Sequence, residues 1–126
     1  MKKEASPIVK SARELAEGID ELCFGFPVAV TYNVLRYAWE GHLSYIQQYG
    51  NGSKRVLFVG MNPGPWGMVQ TGVPFGEVSA VRDWMKIQVE IGKPNPEHPK
   101  RPVRGFACER SEVSGRRLWG LFAKRF

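Results

Sequence analysis

Cysteine is scarce, with only Cys23 and Cys108 in 126 residues. Neither stands at a zinc or redox spacing, and with only His42 and His98 to join them a tetrahedral zinc site lacks a ligand set. Both read as reduced thiols of an intracellular protein. No apolar run approaches the roughly 20 residues of a membrane span. Lys2 and Lys3 open the chain, but no uninterrupted apolar segment follows them, as a secretory signal would require. The expectation is a soluble intracellular protein, cytoplasmic if bacterial and nuclear if eukaryotic, with no metal, no cofactor and no membrane partner.

What is present is the composition of a globular domain: 43% hydrophobic and 12% aromatic residues, four Trp among them. The length suits one domain, able to bury a core without disulfides. Charge is unevenly spread. Up to Gly50 there are five basic and six acidic residues; from Asn51 onward there are 13 and six, giving the whole chain a net charge of +6. Such asymmetry fits a polyanion, since each phosphate contact releases counterions. It fits a solubilising surface as well.

Ser6-Pro7 predicts a helix start, because serine caps well and proline at the first helical position sacrifices no hydrogen bond. Ile8, Val9, Ala12, Leu15, Ala16, Ile19 and Leu22 then follow at helical spacing, until Gly25 and Pro27. Val28 to Tyr32 reads as a short extended piece. A second helix is predicted over Ala38 to Tyr49, stopped by Gly50-Asn51-Gly52. The apolar run Arg55 to Gly60 predicts a strand buried on both faces, as in a parallel sheet covered by helices. A Gly/Pro-rich loop follows from Asn62 to Gly76. A third helix is expected with Val78, Val81, Arg82, Met85 and Val89 on one face. Gly92 to Gly105 holds too many prolines to be regular throughout, and Ser114 is the expected cap of a last helix containing Leu118, Trp119, Leu121 and Phe122. A buried strand needs neighbours at both edges, and the last helix stops at Phe126 without a stop signal. Together these predict a truncated domain.

The segment Gly60-Met61-Asn62-Pro63-Gly64-Pro65-Trp66-Gly67-Met68 sits where ligands bind in open α/β sheets, after the carboxyl end of a strand. It lacks the Gly-Lys-Ser/Thr ending of a phosphate loop and the spacing of a dinucleotide fingerprint. Read for local structure alone, Asn62-Pro63 begins a turn.

The stretch GMNPGPWGMVQTGVPFGEV, Gly60 to Val78, resembles the first active-site motif of the single-strand-selective monofunctional uracil-DNA glycosylases. The likeness extends to Tyr32-Asn33, Tyr37 to Glu40, Val81 to Trp84, Glu97 to Val103 and Ser111 to Gly115, so it covers most of the chain from about Phe26 to Trp119. It implies a base-flipping hydrolase of the uracil–deoxyribose bond. It also implies a three-layer α/β/α fold around a small central parallel sheet, of which residues 1–126 would be the N-terminal part of one domain. On this resemblance Asn62 holds the attacking water, Met61 offers its backbone N–H to the base, and Phe75 stacks on the flipped ring. The backbone at Gly64 and Met68 holds a water near C5 of the base. Related uracil-specific enzymes carry a bulky tyrosine at the position of Gly64, so glycine there implies tolerance of 5-substituents such as hydroxymethyl. Without the resemblance, Phe75 reads as an ordinary core aromatic.

The family's second motif, a His-Pro-Ser-Pro segment, has no counterpart here, nor has the asparagine that reads the uracil edge. His98 lies inside the matching first-half stretch and is no substitute. The chain alone is therefore expected to be weak or inactive, and a full-length protein to be a monomeric enzyme acting on uracil in single- and double-stranded DNA. The competing reading is a non-catalytic DNA-binding remnant or fragment that uses Arg101, Arg104, Arg110, Arg116, Arg117, Lys124 and Arg125. Those residues equally suit a solvated surface. A third reading is an assembly module that pairs through an exposed sheet edge. Asp20, beside Glu17 and Glu21, reads as a solvated face, and Asp83 as the partner of Arg82 in a surface ion pair.

Overall fold

A computed structural model of the chain describes residues 6–126. Lys2 and Lys3 lie outside the described residues. Helix α1, Pro7–Asp20, starts as predicted, with the Ser6 hydroxyl accepting the Val9 N–H at 3.4 Å. Its apolar stripe is only half used. Val9, Ala12 and Ala16 are buried, whereas Ile8, Leu15 and Leu22 stay in water. Asn33 caps the short helix α2, Val34–Tyr37, and its amide donates to Ala16 O and to Asp20 Oδ1. Arg36 adds an ion pair to Asp20 at 2.7 Å. Asp20 thus fastens α2 to the end of α1 and is not a freely solvated group. Asn33 and Arg36 together hold its carboxyl below the usual range.

Helix α3, Trp39–Tyr49, follows at once and ends at Gly50. Its Ile46 packs with Val9 and Ala12 under Trp39 and Leu43. A second cluster, Val73, Val81, Met85 and Ile87, gathers beneath Phe106 and Trp119. Tyr45 touches both clusters and joins them. Burying each such aliphatic side chain stabilises the fold by about 1.5–3 kcal/mol.

Beyond α3 the structure departs from the prediction. Among the described residues there is no β-strand, so the expected three-layer α/β/α arrangement around a parallel sheet does not form. The run Arg55 to Gly60 is irregular and faces solvent, with Leu57 85% and Val59 81% exposed. An apolar run records a preference for burial. It becomes a strand only where other extended segments take its N–H and C=O groups, and none lies alongside it among the described residues. Val28 to Tyr32 is likewise irregular. Phe58 meets the ring of Phe122, at 5.3 Å between centroids.

The remaining elements are short. Helix α4, Met68–Thr71, closes on Gly72 in the left-handed conformation. The predicted third helix is reduced to one wide π-helical turn, Ala80–Trp84. There Lys86 takes φ 58°, and the Ile87 N–H returns to Val81 O at 3.0 Å. Val78, Val81 and Met85 are buried as expected, while Val89 lies beyond the turn. A 3-10 turn, Gly105–Ala107, packs on α4, and helix α5, Val113–Arg125, packs on the π turn. The residue that precedes α5 is Glu112, not Ser114, and it makes no side-chain cap. No helix among the described residues is long and apolar enough to cross a membrane.

Candidate functional site

The Gly/Pro-rich loop is held from behind by two buried polar residues. Gln70 donates to Pro65 O (3.0 Å) and Pro102 O (3.2 Å), and its Oε1 accepts from Arg104 N (2.7 Å) and Gly105 N (3.1 Å). Every hydrogen-bonding position of its amide is used. Thr71 accepts from Val73 N, and its hydroxyl lies within reach of Gly67 O and Gly76 O. Tyr37 donates to Val69 O at 2.7 Å, and its burial raises its hydroxyl well above the usual tyrosine range. These bonds fix α4 and both its flanks against α2 and the 102–105 segment.

Within this frame the predicted residues fall into two groups. Gly64, Phe75 and the start of α5 come together. Gly64 O accepts from Gly67 N (3.2 Å) and Val69 N (3.0 Å), and Met68 O accepts from Gly72 N. Phe75 adopts φ 53°, a conformation that costs a bulky residue roughly 1–3 kcal/mol. Its carbonyl accepts from Trp119 Nε1 at 2.8 Å and from Glu77 N at 2.9 Å. Its ring lies so near Gly60 that a Cβ there would stand 3.1 Å from Phe75 Cζ. The phenyl ring therefore sits beside the residue that leads into Met61-Asn62.

Met61 and Asn62 themselves are solvent-facing. Met61 is 97% exposed, and Asn62 donates only to the neighbouring Pro63 O at 3.1 Å. Met68 is half-buried. Arg101 and Arg104 are exposed on the Pro-rich segment, and Arg116 and Arg117 are exposed on the first turns of α5. Asp83 pairs with Arg82 at the surface, as expected. His42 reaches Gly72 O from Nδ1 at 3.0 Å. His98 accepts from Lys100 N, and its own N–H donates to the Tyr32 hydroxyl.

Glu112 was given no role by the sequence, yet it faces the loop. Its Oε2 is buried without a hydrogen-bond partner. A Cβ placed on Gly64 or on Gly67 would overlap its carboxylate. Burial, and next the neighbouring Glu77, raise the Glu112 carboxyl above the usual range. Glu77 is itself buried but satisfied, accepting from the hydroxyls of Ser79 and Ser111. The segments Gly76 to Val78 and Ser111 to Gly115, distant in sequence, thus meet through carboxylates behind the loop. No sequence period marks Glu112, because its part arises only where two loops cross. Among the described residues no three His, Cys, Asp or Glu side chains gather as metal ligands.

No protein-family model matches the chain. It is 54% identical over 122 residues to the single-strand selective monofunctional uracil-DNA glycosylase of Rattus norvegicus, covering 88% of this chain and 44% of that protein. The glycosylase of the same name from Bos taurus is 53% identical over 123 residues, with 89% and 45% covered. That from Mus musculus is 53% identical over 121 residues, with 87% and 43% covered. Over close to nine-tenths of its length the chain is therefore homologous to the single-strand selective monofunctional uracil-DNA glycosylases, and it spans less than half the length of each of these relatives.

Proposed function

We propose that the chain supplies the water-holding and base-stacking part of a monofunctional uracil-DNA glycosylase, and that residues 1–126 are the N-terminal part of one domain. Identity above 50% over nearly nine-tenths of the chain carries this reading. Asn62 holds the attacking water. An amide accepts and donates hydrogen bonds but takes no proton near neutral pH, so the water adds to a sugar already developing positive charge as uracil departs. Met61 N–H and the Phe75 ring bind the extruded base. The solvent-facing position of Met61 and Asn62, with the Phe75 ring beside Gly60, supports that assignment. The carbonyls of Gly64 and Met68 accept within their own turns, which fixes the backbone whose N–H groups hold the water near C5 in this reading. Arg101, Arg104, Arg116 and Arg117 contact DNA phosphates.

The test is release of uracil from an oligonucleotide by the protein as its own cell makes it, read as strand incision after alkali. Asn62→Ala is expected to lower release by about 10²–10³ without loss of fold, since its side chain bonds only to Pro63 O. Release unchanged by that substitution would overturn the role of Asn62. DNA binding with no release, and no preference for uracil, would leave the DNA-binding remnant as the better reading.

A further inference from the structure

Trp66 stands between two cavities. The first, about 450 Å³, is walled by Val30, Tyr32, Val69 and Pro102, with Lys100 and Arg101 at its edge. The second, about 360 Å³, shares Trp66, Lys100 and Arg101 and adds Arg104, Glu109 and Arg110. Both fall within the roughly 300–1,000 Å³ of ordinary small-ligand sites. Arg110 lines only the second, where its guanidinium lies 4.5 Å from the centre of the Trp66 ring. Four cations and one carboxylate therefore line the two cavities that share this indole.

The walls are built by specific bonds. The Tyr32 hydroxyl donates to Arg101 O at 2.8 Å and accepts the His98 N–H at 2.7 Å, which fixes the turn that carries Lys100 and Arg101. Gln70 ties Pro65 and Pro102, which line the first cavity with Trp66, to one buried amide. Such a preformed site loses little entropy on binding.

We infer that this groove is a subsite for one unpaired nucleotide of single-stranded DNA, flanking the base that the Asn62 loop acts on. The inference rests on the glycosylase reading for its place beside the reacting base, but not for its chemistry. An apolar cavity with an indole and a phenol in its wall takes a planar base by stacking. Lys100 and Arg101 at the rim meet its phosphate, and Arg104 and Arg110 carry the backbone into the second cavity. A paired base reaches the first cavity only after unpairing and unstacking, at a cost of about a few kcal/mol, whereas a flexible single strand avoids most of that cost. A peptide of acidic residues alone would satisfy the cations but has no aromatic ring to fill the aromatic wall.

The experiment is equilibrium binding of the protein, as its own cell makes it, to a fluorescent, uracil-free oligo(dT) at low salt, alongside a duplex of equal length. Trp66→Ala is expected to weaken single-strand binding about tenfold and to change duplex binding little. Trp66→Phe is expected to retain most of the affinity, which separates lost stacking from a lost fold. Arg101→Ala is expected to flatten the salt dependence by about one phosphate contact. Absence of any single-strand binding, equal loss on strand and duplex, or an unchanged Trp66→Ala would each overturn the subsite. So would competition by poly-glutamate as effective as that by unlabelled strand. Because the oligonucleotide carries no uracil, a failure of the catalytic reading leaves these outcomes intact.

Discussion

The Glu112 carboxylate lies against Gly64, in the space that the first side-chain carbon of any other residue at 64 would enter. This changes what a substitution at Gly64 measures. A larger residue there blocks the region next to C5 only after it has displaced Glu112. We predict that Gly64→Ala lowers stability, and that combining it with Glu112→Ala recovers much of the loss, a coupling of about 1–2 kcal/mol. Urea unfolding of the two single variants and the double variant measures it. Additive losses would show that the two residues do not contend for one space. Release of 5-hydroxymethyluracil by Gly64→Tyr is then informative only in the Glu112→Ala background, where retained release would refute the role of Gly64 in substrate range.

Glu112 also predicts a pH effect with a definite sign. Its carboxyl is raised above 4.5 by burial and by Glu77, and its Oε2 has no partner. The protonated form is thus favoured by folding, and that stability is lost as pH rises through the folded value. Glu112→Gln removes the charge while keeping the shape. It should raise the unfolding free energy from urea titration at pH 7.5, by up to about 1 kcal/mol since water screens a half-buried group, and change it less at pH 4. A gain of equal size at both pH values would show that charge is not the cause.

Gln70 is the support whose loss should cost most. Gln70→Met preserves length and apolar packing but leaves the Arg104 and Gly105 N–H groups without their acceptor. Two orphaned donors, one of them on buried Gly105, cost about 2–4 kcal/mol. Hydrogen exchange at Arg104 and Gly105 localises the damage, and protection as in the parent would refute the assignment.

The parts legible in the sequence were those governed by near neighbours. Ser6-Pro7 specified the start of α1, and the break at Gly50 specified the end of α3. The loop motif was visible because its residue types are unusual and contiguous. What failed depended on partners far along the chain. Val56, Leu57 and Val59 look like a strand, but extended backbone needs hydrogen-bonding neighbours that an apolar pattern does not name. The third helix was cut short at Lys86, whose φ of 58° has no signature in that residue type. Glu112 and Gln70 lay inside the matching stretches without a role of their own, and only the crossing of separate loops gives them their surroundings.

His42 gives the fourth prediction. Burial lowers its pKa below 6.5, and the bond to Gly72 O offsets this only in part. A carbonyl only accepts, so Nδ1 carries the proton and the folded protein prefers neutral imidazole. Below pH 6.5 the unfolded chain takes up a proton that the folded chain resists. Stability is thus fully present above that value and is lost as pH falls from 6.5 towards the lower folded value. One proton limits the slope to about 1.4 kcal/mol per pH unit. His42→Asn keeps an N–H donor near Gly72 O and removes the titration, so the pH dependence of its urea midpoint between about pH 5 and 7 should be flatter than the parent's. Identical slopes would place the titration elsewhere. A steeper slope in the variant would reverse the sign, and would mean that charged His42 stabilises the fold.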